Sequence, residues 1–176
     1  HDLETALSFG LGHLSLYQLT LEPNTLFASR PPVLPVDDVL EAMHDQLLSR
    51  LAASELDRYE VSAFAQEGQA CRHNTNYWRF GDYLGIGAGA HSKLSLPDLG
   101  VIRQTCTRHP GDYLKAVQGA DGSHRRQEPV PRDRLGFEFM LNTMRLVHGV
   151  EADLFERATG LSPQHLARAM SKAQAR

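Results

Sequence analysis

Cys71-Arg-His-Asn-Thr-Asn-Tyr-Trp78 runs directly into Arg79-Phe-Gly-Asp-Tyr-Leu-Gly-Ile-Gly-Ala-Gly-Ala-His-Ser92. The glycine run decides the fold class. Gly85-Ile-Gly87-Ala-Gly89-Ala90 matches the spacing of a dinucleotide-binding turn. Such a turn must open a helix whose N-terminus holds a pyrophosphate. Pro97 and Gly100 leave no room for that helix, so the dinucleotide reading fails. Leu84 to Ala90 then reads as a short glycine-rich strand, and two readings stay open. The glycines either allow tight packing inside a barrel or let the backbone approach adenine or another flat group.

The first half of the stretch carries donors and rings. Cys71 and His73 are residue types that hold iron. Tyr77 and Trp78 offer flat apolar faces with polar tips. A neutral histidine gives one ring nitrogen to a metal while the other is held by an acceptor. The chemistry suits a large planar cofactor. The competing reading is an aromatic plug closing a barrel, with Asn74 capping a turn and His73 a hydrogen-bonded structural residue.

Working outward, His13 to Leu21 alternates with period two and reads as a strand, apolar on both faces as in a buried parallel sheet. Asp37 or Asp38 is expected to cap a helix to about Ala53, with Val39, Leu40, Met43, Leu47, Leu48 and Leu51 on its apolar stripe. Asp57 to Ala65 reads as a second strand. Strand, helix, strand is the rhythm of a parallel α/β sheet or barrel, whose ligand sites lie at the strands' C-terminal ends. Thr107 to Pro131 reads as a linker holding one short helix near Asp112–Val117, with Arg125-Arg126 facing solvent. Helices are expected over 132–148, 151–158 and 163–173, with Leu135, Phe139, Leu141, Met144, Leu146 and Val147 along the first of them.

Bulk properties exclude several classes. Of the 176 residues 41% are apolar and 22% charged, and the net charge is −3. That balance supports a globular core and argues against a general nucleic-acid binder. No apolar run reaches the roughly 18 residues of a membrane span, and no signal peptide is visible. Two cysteines, Cys71 and Cys106, make no disulfide framework, so a cytoplasmic setting is expected. Cys71, His73, Cys106 and His109 do not match structural zinc spacing. His44, His124, His148 and His165 are expected to be solvated.

Four elements together resemble one family: Tyr17-Gln-Leu-Thr-Leu-Glu-Pro-Asn-Thr-Leu-Phe27, Tyr59-Glu-Val-Ser-Ala-Phe-Ala65, His73-Asn-x-x-Tyr-Trp78 and Asp82-Tyr-Leu-Gly-Ile-Gly-Ala-Gly-Ala-His-Ser92. They are similar to the HemW-type heme chaperones of the radical SAM superfamily, which are related to the oxygen-independent coproporphyrinogen III oxidase HemN. The resemblance implies the second half of a partial (β/α)6 barrel over 1–106, a linker over 107–131 and the start of a helical C-terminal domain over 132–176. It also implies heme, S-adenosylmethionine and a 4Fe–4S cluster as cofactors of the whole protein, and heme-receiving client proteins as partners. His73 would contact heme iron, with Asn74, Tyr77 and Trp78 around it. Gln18, Ile86, Gly87 and Ala88 would face S-adenosylmethionine. The family's C-x3-C-x2-C cluster motif does not occur in these 176 residues, so this polypeptide alone is expected to be catalytically inactive. With the rest of the barrel missing, Leu14, Leu16 and Val61 are expected to lose partners, and self-association, a homodimer included, is expected through an open sheet edge. The alternative function within the same resemblance is the oxidase itself, decarboxylating two propionates of coproporphyrinogen.

Overall fold

The computed structural model describes residues 1–119 and 122–167, and the chain divides into two units, His1–Cys71 and Arg72–Arg176. In the first, α1 (Asp2–Ser8) carries Asp2 and Glu4 in its first turn, where negative charge suits the helix dipole. Strand β1 (His13–Ser15) follows, then a single turn, α2 (Leu26–Ser29), whose Thr25 hydroxyl accepts from the Ala28 amide at 3.2 Å. Helix α3 spans Asp37–Ala52. Its N-cap is Val36, without a side-chain cap bond, so Asp37 and Asp38 sit in the first turn instead of capping it.

The segment expected as one strand over 57–65 is a hairpin, β2 (Asp57–Glu60) and β3 (Ala63–Ala65). The Arg58 guanidinium donates to the carbonyls of Val61 at 2.7 Å and Glu60 at 3.3 Å, which fixes the reversal. The sheet order is β1-β3-β2 with antiparallel neighbours. β1 and β2 therefore run in the same direction, as the strand–helix–strand rhythm implied, but β3 lies between them. β1 stops short of the expected Leu21. Its ladder ends where Leu16 N donates to Ser62 O, at the turn before β3, and among the described residues no strand pairing continues beyond it. Leu51, Leu56 and Phe64 form the core, with Leu3, Leu7, Leu14, Leu16 and Leu48 packed against it. Leu14 and Leu16 thus keep partners, contrary to expectation, while Val61 is exposed. Along α3 only Leu51 is fully buried, and Val39 and Met43 are exposed.

The second unit begins with α4 (Arg72–Trp78). The expected glycine strand over 84–90 does not form; apart from a bridge between Tyr83 and Lys93, that segment is irregular. Gly87 and Gly89 adopt φ of +107° and +71°, values that break an extended run. The strands instead follow as β4 (His91–Leu96) and β5 (Gly100–Cys106), joined through Pro97–Leu99 with Gly100 at φ +69°. The segment expected as a linker contains α5 (Pro110–Gln118) and an edge strand, β6 (Arg125–Pro129), giving an antiparallel sheet β4-β5-β6.

Helix α6 (Arg132–Thr143) ends five residues before the expected His148. The Thr143 hydroxyl donates back to Phe139 O at 3.0 Å in its last turn. Leu135 and Phe139 are buried, but Leu141, Met144 and Val147 are exposed, so half of the expected apolar stripe faces outward. Helix α7 (Ala152–Thr159) ends at left-handed Gly160. Residues 164–167 are helical, and the rest of the helix expected to 173 lies outside the described residues. Phe80, Val101, Leu135, Phe139, Phe155 and Leu161 make the core. Phe139 meets both Phe80 and Phe155 edge to face, at centroid distances of 5.6 and 5.2 Å.

Candidate functional site

Helix α4 presents the residues that the sequence singled out. His73 is exposed, and Asn74, Tyr77 and Trp78 are half-buried. The i, i+4 spacing brings the rings of His73 and Tyr77 to a centroid distance of 5.2 Å. Among the described residues nothing hydrogen-bonds to the His73 ring nitrogens. The imidazole is exposed at the surface of α4.

The aromatic neighbours are committed differently. Tyr77 stacks on Tyr83 at 4.1 Å, and Arg145 lies 4.2 Å above the Trp78 ring. One face of each ring is thus used internally, as an aromatic plug would require. The Trp78 indole N–H is buried without a partner, a desolvated donor costing about 1–3 kcal/mol. Burial, then the hydrogen bond and charge of Tyr83, push the Tyr77 phenol up to about 12, so it stays neutral.

A chain of contacts ties these rings to the sheet. Arg103 on β5 donates to the Tyr83 hydroxyl at 2.9 Å and pairs with Glu138 on α6. Beneath them lies Lys93, 2% exposed, whose ammonium donates to Phe80 O at 2.9 Å and to Asp82 at 2.8 Å and sits 4.1 Å from the Phe80 ring centroid. Asp82 also accepts from the Ser95 amide and hydroxyl. Burial alone would raise the Asp82 carboxyl. The bonds from Lys93 and Ser95 outweigh it and hold the pKa below its ordinary value. Glycine spacing matters at Gly81, where a Cβ would stand 2.1 Å from Asn76 Oδ1. The small residue frees the Asn76 amide to donate to Asp82 O at 2.9 Å, closing the end of α4.

The glycine question resolves at one position. A Cβ on Gly85 would stand 2.1 Å from the carbonyl oxygen of His91, so that glycine serves close packing. Gly87 is half-buried and meets nothing, while Ile86 and Ala88 are exposed beside it. Gln18 belongs to the other unit. There it lines a cavity of 450 Å³ with Leu19, Leu40, Met43, His44 and Arg58. Cys71 is half-buried and engaged, and Cys106 is buried. His124, expected to be solvated, is half-buried, with its Nδ1 enclosed and its ring edge-on to Tyr113.

Among the described residues no three His, Cys, Asp or Glu side chains form a metal-binding group. The exposed imidazole of His73 is a donor type that suits a heme iron. It does not fit an iron–sulfur cluster, which needs more thiolates than Cys71 and Cys106 supply. Tyr83, Arg103, Lys93 and Glu138 were not singled out from the sequence. Tyr83 and Lys93 had no apparent partner until the β4–β5 register placed them, and Arg103 and Glu138 lie 35 residues apart.

Residues 130–176 match the profile of the HemN C-terminal domain family. The chain is 45% identical over 165 residues to "Heme chaperone HemW" of Escherichia coli (strain K12), covering 91% of this chain and 41% of that protein. It is 46% identical over 162 residues to the protein of the same name from Haemophilus influenzae, covering 92% and 41%. The chain thus spans about two fifths of the length of the curated relatives it matches. Its backbone superposes on the radical SAM enzyme coproporphyrinogen III oxidase (HemN) of Escherichia coli with a TM-score of 0.64 at 15% identity, over 90% of this chain and 39% of that one. That likeness establishes the mixed α/β fold, as part of a HemN-like architecture.

Proposed function

We propose that this chain, which aligns over nine tenths of its length with part of the HemW proteins, binds heme through His73 and takes part in handing it to client proteins. The observation that carries the reading is the 45% identity to a protein named a heme chaperone. The exposed imidazole on α4, with both nitrogens open, supplies the local chemistry. His73 would hold the iron of a bound heme, which would supply a metal centre for an imidazole to ligate. Tyr77, held neutral and stacked on Tyr83, keeps α4 rigid beside that ligand.

The wider assignments rest on the same relatives. In the complete protein, Gln18, Ile86, Gly87 and Ala88 would face S-adenosylmethionine, and a 4Fe–4S cluster would be held by residues other than Cys71 and Cys106. Asn74 and Trp78 would border the heme. The domain limits 1–106, 107–131 and 132–176, a homodimer and a cytoplasmic location belong to this reading too. Among the described residues no helix is long and apolar enough to cross a membrane. The HemN likeness, at 15% identity, adds nothing in favour of oxidase activity.

The test is an absorption titration of hemin into this chain and its His73→Ala variant. The reading predicts a shifted Soret band with saturable binding, weakened about tenfold or more by His73→Ala, since a lost metal–ligand bond removes more than 1.4 kcal/mol. Identical curves for the two chains would remove His73 from the role.

A further inference from the structure

On the face of the sheet formed by β5 and β6 lies a second cavity, of 330 Å³. Among the described residues, three guanidiniums line it, Arg103, Arg108 and Arg126, together with the hydroxyl-bearing Thr105, Thr107 and Ser123, against the carboxylate of Glu128. The strand register builds this set. Thr105 stands opposite Arg126 and Arg103 opposite Glu128, so all four share one face. Arg108 follows β5 where the glycine turn closes in, with Gly89 N donating to Thr107 O at 2.9 Å.

The three arginines are not equally committed. Arg103 is occupied by Tyr83 and Glu138. Among the described residues Arg126 pairs with Glu128, and both side chains are largely exposed, so that bond is weak and exchangeable. Arg108 has no acidic partner among the described residues. A concave site with one free and one loosely held guanidinium favours an oxyanion, because the planar fork binds carboxylate or phosphate bidentately.

We propose that this cavity binds the carboxylate arms of the tetrapyrrole, with Arg108 and Arg126 as its donors. The proposal rests on the heme reading above. It is supported by continuity within one unit: His73 touches Tyr77, Tyr77 stacks on Tyr83, and Tyr83 accepts from Arg103, which lines the cavity. A tetrapyrrole carries both a flat macrocycle and propionates, the two chemistries that the ring-bearing helix and the arginine cavity offer within this unit. A free carboxylate or phosphate shares the anionic chemistry but not the macrocycle.

Metal-free protoporphyrin IX tests this without any axial ligand, so its outcome is independent of His73. Binding to this chain is followed by porphyrin fluorescence, beside protoporphyrin IX dimethyl ester and with inorganic phosphate as competitor. The free acid should bind more tightly than the ester. Arg108→Gln and Arg126→Gln should each weaken the acid about threefold to tenfold and leave the ester unchanged. Millimolar phosphate should compete only weakly. Equal affinity for acid and ester, or variants that weaken both alike, would overturn the proposal. Displacement by phosphate at stoichiometric concentration would also overturn it, by assigning the cavity to a free anion. The Arg108 side chain is exposed and makes no hydrogen bond or ion pair among the described residues, so its variant should keep the native circular dichroism. If His73→Ala leaves hemin binding intact while the acid–ester difference persists, the heme-ligand reading fails and the cavity proposal stands.

Discussion

The two units build their cores differently. In Arg72–Arg176, three phenylalanines meet edge to face, and a buried lysine ties Asp82 to the sheet. In His1–Cys71, three buried side chains form the core and no strand exceeds four residues. There the stripe of α3 lines an open cavity of 450 Å³ with Tyr17, Gln18 and Leu19. The second unit packs rings against rings, although Phe137, Leu141 and Met144 still face outward. The first lines an open cavity with apolar side chains, a surface of the kind that marks an interaction or ligand site. The candidate site stands on the ring-packed unit.

Truncating the two cores gives the largest contrast. Phe139→Ala should cost about 4 kcal/mol, because its ring meets two others and the space cannot collapse. Leu51→Ala should cost about 2 kcal/mol, the low end of such changes, because its half-open neighbours can close in. Denaturant unfolding followed by hydrogen exchange in each unit measures both. Equal losses would erase the distinction.

A smaller effect concerns the open cavity. An apolar fluorescent dye should bind the native chain, and Met43→Glu should cut its signal by about half by placing a charge on that lining. A native chain that leaves the dye dark would mean that the surface is not available.

The smallest effect is a pH dependence in the second unit. The Asp82 carboxyl has a folded pKa below its unfolded one. Its contribution is present above the unfolded value and is lost as pH falls through the folded value. With the side chain 40% exposed, the loss should be about 0.5 kcal/mol on acidification. Asp82→Asn should remove that acid-side loss, and an unchanged acid profile in the variant would contradict the assignment.

Where periodicity was long, the sequence could be read directly. The span of α3, the start of α6 and, to within a residue, the extent of α7 follow from apolar spacing and end signals. Short strands were harder. Tyr59-Glu-Val-Ser-Ala-Phe looks continuous, yet Arg58 caps two carbonyls and folds it back. The β4–β5 hairpin had a usable signal in Pro97-Asp-Leu-Gly100, which served only to exclude a helix. β6 is exposed throughout and rich in charge, so no apolar alternation reveals it. At the site, the group His73, Asn74, Tyr77 and Trp78 could be found because its residues are near neighbours in sequence, but the helix α4 that carries them was not expected. The support from Tyr83, Arg103 and Glu138 could not, since it depends on register and on packing between distant elements.

Electron paramagnetic resonance of the ferric heme complex tests the central claim most directly, because it reports the atom bound to iron. The account predicts an imidazole signature that His73→Ala abolishes and Cys71→Ala leaves intact. A thiolate signature, or an imidazole signature surviving His73→Ala, would contradict it.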